Sequence, residues 1–136
     1  MAGETNLAAL LMGMRPALQP GNFVFATMPP EGSIPTGAEP LMIFREAEGW
    51  TLILLEEQAR AAGLTFAFPC RMITLEIHSS LDAVGFLAAI TARLAAACMG
   101  VNPVSAFYHD HLFVPADRAE EALAILKEMA GGAPPP

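Results

Sequence analysis

Along residues 72–129 the apolar positions alternate, then recur at helical spacing, then alternate in two short runs, then return to helical spacing. That succession predicts strand, turn, helix, strand, tight turn, strand, helix. Ile73, Leu75 and Ile77 alternate with Thr74, Glu76 and His78, the period of a half-buried strand. The polar stretch from His78 to Gly85 leads into an alanine-rich helix with Phe86, Ile90, Leu94 and Ala97 on one face. Val104 to Tyr108 and Leu112 to Val114 read as strands flanking a His109-Asp110-His111 corner. Asp117 opens a last helix whose buried stripe is Ala119, Ala122, Leu123, Leu126 and Met129.

The first half carries a related pattern. Thr5 or Asn6 is placed to cap a helix with Leu7, Leu10, Leu11 and Met14 on one side, ended by Arg15-Pro16 and Pro20-Gly21. Asn22 to Met28 reads as a strand and Pro29 to Pro40 as a proline- and glycine-rich surface loop. Leu41 to Phe44 is a short strand, Arg45 to Gly49 a polar turn, and Trp50 to Leu55 a strand apolar enough to be buried on both faces. Glu56 to Ala62 forms two helical turns stopped by Gly63, and Leu64 to Phe68 is a strand broken by Pro69.

Residues 1–69 thus read α-β-β-α-β and residues 70–130 read β-α-β-β-α, with a Gly/Pro-rich tail over 131–136 expected to be disordered. Each half is one strand short of a ferredoxin-like β-α-β-β-α-β unit. The predicted class is α+β: two such units in tandem, with interlocked antiparallel sheets and helices on one face. The halves share or exchange strands, so that Pro69-Cys70 is a crossover, or a neighbouring subunit completes the sheets.

Composition narrows the possibilities. Hydrophobic residues make up 54% of the 136-residue chain and charged residues only 15%, which excludes a disordered protein. So apolar a short chain predicts burial against a partner subunit, expected here as a homodimer. A net charge of −7 and a single lysine, Lys127, argue against nucleic acid and against an anionic membrane surface. No apolar run reaches the length of a membrane span, and the N-terminus lacks the layout of a signal peptide. Cys70 and Cys98 are expected as free, buried thiols, in keeping with a cytoplasmic protein.

Four stretches, Pro20–Phe25, Phe44–Leu52, Ile73–Gly85 and Tyr108–Pro115, together make the chain similar to small bacterial proteins built of two ACT-type domains. This resemblance implies a ferredoxin-like fold that binds an amino acid or related metabolite at a domain or subunit interface. It implies no reaction.

The candidate chemistry gathers at one rim. Ser79, Ser80, Leu81 and Asp82 match a helix capping box, with Asp in place of Glu. The same residues offer a ligand site: the N–H groups of Ala83, Val84 and Gly85 would receive a carboxylate and Asp82 an ammonium. By topology His78 neighbours the hairpin carrying His109 and His111, so a ligand-contacting or pH-sensing histidine is expected there. No established metal-ligand spacing is present, and no metal or cofactor is expected. Arg45 reads as an exposed turn residue and Trp50 as a core or interface anchor. Neither a nucleophile elbow nor a phosphate-cradling loop occurs, and no catalytic residue is assigned. The sequence reads as a non-catalytic metabolite sensor that signals to a partner protein. A structural or protein-interaction module with a vestigial pocket is the alternative.

Overall fold

The computed structural model describes residues 5–131. Asn6 accepts a hydrogen bond from Ala9 N at 2.9 Å and so caps α1, Leu7–Gly13. By packing, the described residues divide into two compact units: 5–20 together with 71–131, and Gly21–Cys70. The division of the sequence at 69/70 follows its motifs; the compact units follow contacts, and residues 5–20 join the C-terminal half.

The Gly21–Cys70 unit contains β2 (Phe23–Met28), β3 (Met42–Glu46), β4 (Gly49–Leu55), α2 (Glu56–Ala61) and the first part of β5 (Thr65–Leu75). β1 is the short Pro16–Leu18 strand of the other unit. Strand order here is β3-β4-β2-β5, and the pairs described are antiparallel. Val24, Ala26, Met28, Leu52, Leu54 and Ala59 form its core. Two expectations need correction. Arg45 is not in a turn: it pairs with Trp50 and Glu46 with Gly49, leaving only Ala47-Glu48 as the hairpin loop. Pro69 does not end a strand. β5 passes through it by a bulge, with Phe23 opposite Cys70 but Phe25 opposite Ala67, and Phe68 takes φ +61°. A bulge is one of the few sheet positions that tolerates a missing N–H. Gly63, at φ +67°, does supply the left-handed residue after α2.

In the other unit β1 pairs with the end of β5, Pro16 opposite Leu75 and Leu18 opposite Ile73. This strand had no counterpart in the sequence pattern. β6 (Asn102–Ser105) pairs with β7 (Asp110–Pro115), and β7 lies beside β5. α3 (Phe86–Ala96) and α4 (Ala119–Gly131) contribute Phe86, Ile90, Leu94, Ala122 and Leu126 to a core that also takes Leu10 from α1 and Met14 just after it. The tail expected over 131–136 lies outside the described residues except for Gly131, which ends α4.

Boundaries near the rim also shift. β5 stops at Leu75, because Ile77 N bonds back to Leu75 O and Ser79 N to Ile77 O in successive tight turns. The hairpin reverses at Ala106–His109, closed by Ala106 N to His109 O at 3.0 Å, so Asp110 and His111 belong to β7 and not to a corner. Cys70 is buried as expected, its thiol pushed up to about 12 by burial; Cys98 is exposed, at φ +59°.

Candidate functional site

The loop between β5 and α3 is built from consecutive turns. Ser80 Oγ accepts from Asp82 N at 3.0 Å, and Ala83 N donates to Ser80 O at 3.0 Å. The chain enters α3 through Gly85, whose φ of +88° only glycine adopts without strain. Gly85 is the N-cap and offers no side chain, so the capping box expected at Ser79 and Asp82 does not form. The helix starts later than that motif implied, and its unpaired first-turn N–H groups begin around Phe86 and Leu87.

Ser79, freed from capping, is buried and turned toward β7. Its hydroxyl donates to Asp110 Oδ2 at 3.3 Å, while Ser105 Oγ donates to Asp110 Oδ1 at 2.5 Å. Asp110 is only 8% exposed. These groups border a cavity of about 190 Å³. Ser79, Ser80, Leu81 and Ala83 line it from the loop, Phe86 and Leu87 from the start of α3, and Ser105 and Asp110 from the hairpin.

Of the residues expected at the site, the structure brings Ser79, Ser80, Leu81 and Ala83 together around this cavity and places the others outside its lining. Asp82 and Val84 are exposed. The His78 ring lies against Tyr108 and Phe107, with centroids 5.8 and 6.4 Å away. His109 Nδ1 donates to Ile77 O at 3.4 Å, and His111 Nδ1 shares a 3.0 Å hydrogen bond with Thr74 Oγ1. Among the described residues no three His, Cys, Asp or Glu side chains are grouped so as to hold a metal ion. Arg45 stacks its guanidinium 5.7 Å from the Trp50 ring centroid.

Asp110 and Ser105 were not assigned to the site by sequence. The available signal was period: Asp110, Leu112 and Val114 follow one another at every second residue, and all three are buried. An aspartate beside two histidines at a turn masks that alternation.

His111 carries a pH dependence. Burial lowers its pKa, the neighbouring His109 lowers it further, and Asp110 partly opposes both. The unfolded chain therefore takes up this proton first as pH falls. The fold keeps the full benefit above the usual histidine range of about 6.5 and loses it progressively below. His111→Gln is expected to lose less melting temperature than wild type between about pH 8 and about pH 5. An equal loss in both would assign the acid sensitivity to other groups.

A second, more open groove of about 440 Å³ lies in the Gly21–Cys70 unit beside Gly21, Asn22, Leu55, Glu56, Glu57 and Arg60. Two of its charges pair with each other, Arg60 binding Glu56 at 2.7 Å.

Family models described as ACT domain match residues 2–71 and residues 67–128. The chain belongs to the ACT-domain family. It carries two such domains in tandem. This ACT-domain chain is 40% identical to a Vibrio cholerae protein of unknown function described as a possible transport protein, covering 91% of this chain and 95% of that one with a TM-score of 0.82. It shares its fold with the ligand-free regulatory subunit of aspartate kinase from Thermus thermophilus, at 12% identity, 88% and 97% coverage and a TM-score of 0.65. A putative C-terminal regulatory domain of aspartate kinase from Porphyromonas gingivalis is similar at 15% identity, 89% and 99% coverage and a TM-score of 0.58. No curated protein matches. ACT domains are regulatory rather than catalytic modules and generally bind small-molecule metabolites, which supports a regulatory, ligand-binding role here. Among the described residues no helix is long and apolar enough to cross a membrane.

Proposed function

We propose that this ACT-domain protein is a non-catalytic sensor that binds an amino acid or related metabolite and passes its state to a partner protein, acting as a cytoplasmic homodimer. The observation that carries this reading is the small cavity at the start of α3. There an uncapped helix N-terminus, three serines and a buried carboxylate border a space lined otherwise by Leu81, Ala83, Phe86 and Leu87. Such a cavity combines apolar walls with a few placed polar groups, as small-molecule sites do. The likeness of the fold to aspartate kinase regulatory subunits supports a regulatory setting.

A thermal-shift screen of the full chain against the common amino acids tests it. A ligand at about 100 times its dissociation constant adds about 2.7 kcal/mol and raises the melting temperature by several degrees. The alternative, an interaction module with a vestigial pocket, draws support from the exposed Leu81, Val84, Phe107 and Tyr108 around the loop and hairpin. No shift with any amino acid would put that alternative first.

A further inference from the structure

We infer that the outer edge of β3 is a docking site for an extended segment of another protein, which joins the sheet as a further strand. β3 ends the strand order of the Gly21–Cys70 unit and has β4 as its one neighbour among the described residues. In an antiparallel pair, alternate residues turn their backbone N–H and C=O groups toward the neighbouring strand and the others turn theirs away. The outer edge of β3 thus offers a row of backbone donors and acceptors to an incoming strand. The side chains beside that row are apolar and open. Ile43 is 45% exposed, Phe44 61%, and Leu41, just before the strand, 52%.

Folds commonly blunt such an edge with proline, with lysine or by keeping the strand short. The other unit follows that rule: its edge strand β6 has four residues, and Pro103 within it has no N–H to offer. Residues 41–46 hold neither proline nor lysine. The two charges of β3 do not guard its edge either. Arg45 is stacked on Trp50 and Glu46 accepts a hydrogen bond from Thr51 Oγ1, so both are drawn toward β4.

Charge order selects the occupant. A two-fold axis joining two copies through antiparallel β3 strands opposes only residues whose numbers are both odd or both even. Arg45 then faces Leu41, Ile43, Ala47 or its own copy, and Glu46 faces Met42, Phe44, Glu48 or its own copy. Neither charge meets an opposite one in any of these registers, and like charges directly opposite are destabilising. A different strand satisfies every position. Run antiparallel to β3, it carries a basic residue opposite Glu46, an acidic one opposite Arg45, and small polar, β-branched or aromatic residues opposite Phe44, Ile43, Met42 and Leu41. Backbone bonds supply the affinity in this mode of recognition, and alternate side chains supply the specificity. The site is independent of the ligand reading, because the cavity belongs to the other unit.

The capped hexapeptide KETVYV, written to that order, tests this on the full chain. Trp50, the only tryptophan, lies opposite Arg45 and reports binding by its fluorescence. A saturable fluorescence change is expected. Of two analogues N-methylated at alternate residues, one blocks the N–H groups that face β3. That one is expected to bind about tenfold more weakly or worse, and the other to bind like the parent. Ile43→Lys, at an exposed position, is expected to keep the wild-type melting temperature and to weaken the peptide by about tenfold or more. Silence toward KETVYV, equal binding of the two analogues, or unchanged affinity in Ile43→Lys overturns the inference, and the analogues decide even if Ile43→Lys fails to fold. Equal binding of the charge-swapped EKTVYV overturns it too. A dimer that Ile43→Lys separates in sedimentation places a second copy on this edge and overturns it as well. The amino-acid screen tests the ligand reading separately, so failure of one is distinguishable from failure of the other.

Discussion

A fragment beginning at Arg71 is expected to lack a cooperative melting transition, although it holds the whole β-α-β-β-α pattern. The reason lies in α1 and β1. Leu10 and Met14, 0% and 2% exposed, are part of the core otherwise built from Ile73, Leu75, α3, β7 and α4. β1 pairs with residues 73–75 of β5, and Gln19 N and Arg71 Nη2 extend that edge through bonds to Met72 O and Gln19 O. Removing one buried Leu or Met side chain costs about 2–5 kcal/mol. Losing two, together with a strand, approaches the whole stability of a typical domain, about 5–15 kcal/mol. Circular dichroism during heating checks this, and a peptide of residues 1–20 added in trans is expected to restore part of the transition. A sharp melting curve for the fragment alone would show that the first twenty residues are dispensable.

Leu54→Ala is expected to destabilise the Gly21–Cys70 unit by about 2–5 kcal/mol, read as a lower urea midpoint at unchanged slope. Leu54 is fully buried on β4, opposite Val24, within a core of only six buried residues. So small a cluster has few neighbours able to move into the space vacated. Phe44→Ala, on the adjacent strand, is the contrast: Phe44 is 61% exposed, and its loss is expected to change stability by no more than about 0.5 kcal/mol. Comparable effects at both positions would mean that Phe44 is covered in the protein as it exists in solution.

Local chemistry was a good guide wherever the deciding partner was close in sequence. Asn6 bonds to Ala9 as capping requires, and α4 buries Ala119, Ala122 and Leu126 from the stripe read in the pattern. It misled where two local signals competed. Ser79 and Asp82 look like a helix start, but Gly85 enters the left-handed region and begins α3 instead. Pro69 looks like a strand end, but the extra residue of a bulge absorbs it. β1 was illegible because three residues beginning with Pro16 carry no period; only pairing with distant residues 73–75 makes them a strand.

Apolar period and cap chemistry, acting over a few residues, were enough to set the α+β class, the two related halves and the ACT resemblance. Those signals are local, and the sequence carries them whole. The tertiary structure decided which segments pack together and which polar groups meet. α1 and β1 joined the C-terminal unit, and Asp110 was drawn inside beside Ser79 and Ser105 while Asp82 was left in water. The physical reason is that burial and hydrogen-bond partnership depend on chain segments far apart in sequence, so an aspartate's role as turn residue or buried charge is settled only when the strand carrying it finds its place.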